Sequence, residues 1–164
     1  MNKRHYEHTL PNIRGSLSNT YSLKTYREYY EDVMRRVPGI HSVRVVNVDQ
    51  DMSDCLKSIS SDELPVLFVV VPSAQETGTD PDNVEEDNLC LIFLMDRMDM
   101  QRRGPVRVLE DTQPLVESIK NVMRGDRNRG CCLMRNLDRM TTTPETGFYT
   151  DYSGWSVSFK LGTE

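Results

Sequence analysis

The sequence predicts an α+β fold: a mainly antiparallel central sheet flanked by two principal helices. Three observations predict it. Two short apolar runs, Val66–Val71 and Leu89–Met95, read as strands. Two amphipathic stretches with helical spacing lie outside them. The chain closes on a strictly alternating segment, Trp155–Leu161. A length of 164 residues suits one domain with a sizeable core. Apolar residues make up only 37%, so part of the length is expected to be arm or loop. We divide the chain into an N-terminal arm, residues 1–21, and a single α+β domain, residues 22–164.

The elements follow in order. Residues 1–21 are polar, with Pro11, Gly15 and several Ser, Thr and Asn, and read as an extended arm. Ser22 or Thr20 then caps a helix over Leu23–Val37. Tyr26, Tyr29, Tyr30, Val33, Met34 and Val37 form one apolar stripe, with charged residues on the other side. Pro38-Gly39 ends it. His41–Val48, rich in valine, reads as a strand, and Met52, Leu56 and Ile59 mark one short helix within 49–64.

Pro65 opens the first apolar run, at a position where its missing N–H is tolerated. Neither central run alternates with polar residues, which is the pattern of a strand buried on both faces. Their β-branched and aromatic content favours strand over helix. Residues 73–88 between them read as a long acidic loop, and Asp96–Val108 as a basic loop around Gly104-Pro105. A second helix starts at Asp111 or Thr112 and runs to Arg124, with Pro114 in its first turn and Gly125 just past its end. Cys131–Leu137 reads as a strand and Thr141–Ser153 as irregular. In the final strand Trp155, Val157, Phe159 and Leu161 alternate with Ser156, Ser158 and Lys160, so one face is buried and the other wet.

Charge narrows the function. The formal net charge is −5, which argues against a general nucleic-acid binder. No apolar run approaches the ~20 residues of a membrane span. Met1–Asn12 lacks the apolar core of a secretory signal, so the protein is expected in the cytosol where it is made. Cys55, Cys90, Cys131 and Cys132 show no Cys-x-x-Cys spacing, and His5, His8 and His41 do not cluster with them. Buried free thiols are the expectation.

Two charged stretches are the candidate site. Glu76, Asp80, Asp82, Glu85, Glu86 and Asp87 fill the acidic loop with no basic residue among them. A calcium site is the specific reading of such a loop. The spacing lacks the glycine and the terminal acid that the EF-hand pattern requires, so no metal is expected. Arg97, Arg102, Arg103 and Arg107 form the basic loop, and residues 124–139, including Arg135 and Arg139, add a second basic segment. Arginines in such a cluster bind phosphate or carboxylate through paired N–H donors, or are simply solvated. No nucleophile elbow, Walker loop, dinucleotide fingerprint or His-Glu-x-x-His is present, and no feature near the cysteines lowers a thiol pKa. The expectation is a protein that is not an enzyme and uses no cofactor.

The order of elements resembles the small neck and tail-completion (tail-terminator) proteins of tailed bacteriophages. The matching features are the Leu64-Pro65 entry into Val66–Val71, the strand Leu89–Met95, the helix Gln113–Met123, and the closing Gly154-Trp155-Ser156-Val157-Ser158-Phe159. The likeness covers about residues 22–161. It implies a virion protein, made in the host bacterial cytoplasm, that forms a ring of six-fold or twelve-fold symmetry with copies of itself. Its partners would be portal or connector and tail proteins, with DNA only as passing cargo and no membrane. The acidic and arginine residues would then be subunit-interface or lumen residues. The alternative is a small non-enzymatic protein-binding module of a mobile element.

Overall fold

The two apolar runs pair with each other, antiparallel, in the middle of a six-stranded mixed sheet. The computed structural model describes residues 22–47, 49–77 and 85–163. The N-terminal arm, residues 1–21, lies outside them. In chain order the elements are α1 (Leu23–Arg36), β1 (Ser42–Val46), α2 (Asp49–Ser58), a 3₁₀ turn (Ser61–Glu63), β2 (Val66–Val70), β3 (Ser73–Thr77), β4 (Glu85–Arg97), α3 (Pro105–Asn128), β5 (Thr141–Phe148) and β6 (Tyr152–Thr163). The fold is α+β. The described residues hold three helices, of which α2 is the short one read from Met52, Leu56 and Ile59.

The sheet order is β1-β2-β4-β6-β5, with β3 also on β4. Only β1 and β2 run parallel, which requires a crossover, and α2 supplies it. Because β6 occupies one whole edge of β4, β2 and β3 share the other edge, end to end. Val69 faces Ile92, and Ser73 faces Leu89. The strand therefore gains one residue on its partner at Val71–Pro72, a β-bulge.

Continuous apolar strands become intelligible once both faces are seen to be covered. Leu67, Val69, Ile92, Leu94, Val157 and Phe159 pack under α1 and α3. Val66, Phe68, Phe93 and Met95 face the other way, onto Met52 and Leu56 of α2. Ser22 caps α1, its Oγ accepting from the Thr25 N–H at 3.1 Å. Of the predicted stripe, Tyr26, Tyr30, Val33 and Val37 are buried, and the Tyr26 and Tyr30 rings meet edge to face at 5.0 Å.

Four elements depart from the sequence reading. First, α3 begins at Pro105 rather than near Thr112. Gly104 is an extended N-cap and Pro105 takes the first helical position, where no N–H is needed. Pro114 thus lies inside the helix, and Gly125 within its last turn rather than after it. Ion pairs from Arg107 to Glu110 and Asp111 brace the extra turns. Second, Cys131–Leu137 is not a strand. Met134 N–H donates to Cys131 O and Leu137 N–H to Met134 O, so the backbone is satisfied by successive turns. Leu133, Met134 and Leu137 enter the core from there.

Third, Thr141–Phe148 is an edge strand, not irregular. Pro144 is tolerated because it sits on the outermost strand. Fourth, much of the predicted acidic loop is strand: β3 and the first residues of β4 form an antiparallel ladder. Residues 78–84 lie outside the described residues. Among the described residues, no helix is long and apolar enough to cross a membrane.

Candidate functional site

The described part of the acidic stretch lies on β3 and the first residues of β4. Glu76 of β3 stands opposite Glu86 of β4, Thr77 opposite Glu85, and Gln75 opposite Asp87. Like charges directly opposed across strands repel. Asp80 and Asp82 lie outside the described residues. Asp87 pairs with Lys160 Nζ of the neighbouring strand at 3.4 Å.

The arginines of the predicted basic loop do not share one environment, and they are not all on a loop. Arg97 ends β4 and Arg107 lies in α3. The loop reading fails because helix α3 begins two residues before Arg107, at Pro105. Arg103 is engaged by Asp96 at 2.8 Å and Asp111 at 2.9 Å. Asp96 is buried, so this pair fastens the β4–α3 connection rather than offering a free cation. Arg107 pairs along its own helix. The Arg97 guanidinium donates to Tyr152 Oη at 3.0 Å and to Ile59 O at 3.4 Å, and lies 5.6 Å over the Tyr152 ring. Arg102 has no ion-pair partner among the described residues.

Of the second basic segment, residues 124–128 belong to helix α3, and the residues from 136 onward lie beside β6, on the side of the sheet away from β3. The Leu137–Leu161 bridge, and the bond from Asn136 Nδ2 to Gly162 O at 3.0 Å, fix them there. Leu161 and Gly162 are the residues that face Asn88 and Asp87 on β4. Arg135 and Arg139 are exposed and have no ion-pair partner among the described residues. Arg129 is instead drawn to Asp126. Three hydrogen-bonding side chains, Arg36, Tyr29 and Arg129, hold the Asp126 carboxyl well below the usual carboxylate range, at about 2, against the opposing effect of its burial. The bond between Arg36 and Asp126 has no signature in the one-dimensional pattern, because the two residues are 90 apart in the chain.

A shallow groove of about 530 Å³ crosses the face that α2 leaves open. Leu89, Leu91 and Val70 line its base, with Arg139 and Lys160 at its edges. Leu89 is 42% exposed, which departs from the expectation of a run buried on both sides throughout. Of the four cysteines expected to be buried, Cys90 is, Cys55 and Cys131 are partly buried, and Cys132 is exposed, because the turn at 131–137 replaces the expected strand. Among the described residues no group of three or more His, Cys, Asp or Glu side chains is arranged to hold a metal ion. No protein-family model matches this chain, and no curated protein matches it.

Proposed function

We propose that the chain is a ring-forming structural subunit of a tailed-phage neck or tail-completion assembly. It would join portal or connector to tail, with DNA passing through the lumen. The observation that supports this reading most directly is the pair of flanks. On one side of the sheet Glu76 of the edge strand β3 stands opposite Glu86 of β4, next to Glu85; on the other side, beyond β6, lie Arg135 and Arg139. A ring of identical subunits needs two different, complementary patches on each copy, placed so that the contact repeats and closes. Opposite charges on opposite edges of one sheet meet that requirement. In this reading Arg97, Arg103 and Arg107 stabilise the subunit, and Arg102 is the arginine of the first cluster open to a neighbour. The protein acts in the virion, is made in the host cytoplasm, and has no catalytic step.

Charge reversal tests it. Native mass and negative-stain imaging of the unaltered chain should give rings with a central hole. Arg135→Glu with Arg139→Glu should give monomers, as should Glu85→Lys with Glu86→Lys. Combining all four should restore rings. Rings that survive either reversal would remove the flank pairing. A strict monomer at every concentration favours a second reading, a protein-binding module, for which the open groove over Leu89 and Leu91 is the supporting feature.

A further inference from the structure

Among the described residues, one corner of the sheet is a strand short. β2 and β3 share one edge of β4 end to end, and β1 lies beyond β2. No strand lies beyond β3. The outward backbone N–H and C=O groups of Ser73–Thr77 have no backbone partner among the described residues. Such an edge is a template for another strand, and proline, lysine or a bulge commonly guards it. β3 holds neither proline nor lysine. It holds acid instead: Glu76, with Glu85, Glu86 and Asp87 facing the strand from β4. Two copies of β3 side by side would bring these carboxylates together and repel, so the edge favours a basic strand over itself.

The far side of the same sheet offers one. Among the described residues β5 pairs only with β6, so its outer edge is open as well. Pro144 interrupts that edge, because it has no N–H to give. Before it, residues 139–143 make a stretch as long as β3, led by the exposed Arg139. The Asp138 N–H donates to Lys160 O at 3.0 Å, which brings the stretch in alongside β6.

We propose that β3 of one subunit pairs with residues 139–143 of the next, so that the sheets of neighbouring copies join into one. The inference rests on the ring reading and specifies its contact as main-chain hydrogen bonding rather than a meeting of side-chain charges alone. β3 is antiparallel to β4, β4 to β6 and β6 to β5, so β3 and β5 point opposite ways within one copy. With the ring axis along the strands, rotation from copy to copy preserves their direction, and the new pair is antiparallel. Backbone bonds then hold the contact, and the charges select which edges meet.

Deuterium exchange of the full chain, read by peptide mass, tests it. Assembled rings are compared with the two charge-reversed monomers. Residues 73–77 are followed against Arg135→Glu with Arg139→Glu, and residues 139–143 against Glu85→Lys with Glu86→Lys, so no substitution touches the segment being read. On assembly both segments should exchange roughly 10-fold more slowly, while Ser42–Val46, on the edge strand β1, should not change. Rings whose two segments exchange as fast as in the monomers would overturn strand pairing and leave the ring reading standing. Slowing of one segment without the other would also overturn it. A chain that forms no rings would overturn both.

Discussion

Arg36 at the end of α1 grips Asp126 in α3 with both arms of its guanidinium. Nη1 donates to Oδ1 at 2.9 Å, and Nη2 to Oδ2 at 2.6 Å. Tyr29 Oη donates to the same carboxylate at 2.8 Å, two turns earlier on α1. Asp126 is only 6% exposed, so these bonds replace its water. One carboxylate of α3 thus anchors two positions of α1.

Removing that charge should therefore cost more than a surface ion pair. Asp126→Asn is expected to destabilise the fold by about 3 kcal/mol, the low end for breaking a buried pair, because Asp32 still offers Arg36 a carboxylate. Urea unfolding of the variant against the unaltered chain measures it.

The same residue gives an acid dependence with a definite sign. Its folded pKa, about 2, lies below the ordinary carboxylate value. The stabilisation is then complete above about pH 4 and is lost as pH falls toward about 2, amounting to about 2 kcal/mol. Asp126→Asn should show a correspondingly shallower fall in its urea midpoint over that range. Equal slopes in the two proteins would refute the assignment.

Gly154 is the position where β4 and β6 approach too closely for any side chain. A Cβ there would lie 1.8 Å from the Leu94 carbonyl oxygen and 2.9 Å from its carbon, both backbone atoms. Gly154→Ala must pry the two strands apart and should cost about 3 kcal/mol. For a domain of this size that lowers Tm by roughly 10 °C, readable by calorimetry.

The thiols should react in a fixed order. Cys132 is exposed, whereas Cys90 is buried and its burial pushes the thiol up to about 11. Iodoacetamide at neutral pH should label Cys132 first and Cys90 last, with Cys90 becoming reactive only on unfolding. Peptide mass mapping over time would show the order; early labelling of Cys90 would contradict its placement.

Trp155 ties the last strand to α3 through an indole N–H donated to Leu109 O at 3.2 Å. Trp155→Phe should lose about 1 kcal/mol from that bond, with a further loss from the smaller ring. Denaturant midpoints measure the total, and a neutral result would mean that the indole bond adds nothing net.

Period and composition made much of the framework legible. Val66–Val70 and the segment from Cys90 to Met95 stand out because a strand covered on both faces has no polar positions to interrupt it. Val157, Phe159 and Leu161 stand out because Ser158 and Lys160 between them are exposed; Ser156, read as wet, is instead buried and donates to Glu145 of β5. The misses have local causes. Gly104-Pro105 reads equally as a loop and as a helix start, and only the tertiary seat of Val108 and Thr112 decides between them. Thr141–Phe148 has no apolar alternation because an edge strand with little cover needs none. The charged residues of the candidate site were readable as clusters. Their partners were not, since the pairing of Arg103 with Asp96, or the place of Arg139 beside β6, is a product of the assembled sheet.

The ladder between β4 and β6 runs unbroken through twelve paired positions, from Glu86–Thr163 to Arg97–Tyr152. Hydrogen bonds perpendicular to a strand resist very differently according to the direction of load. A pull along β4 strains all of these rungs in shear at once. A pull on β5, held at one edge through a register that breaks between Glu145 and Phe148, opens them singly, like a zip. The molecule is thus stiff along one axis and yielding across it, with β4 and β6 as its tension member.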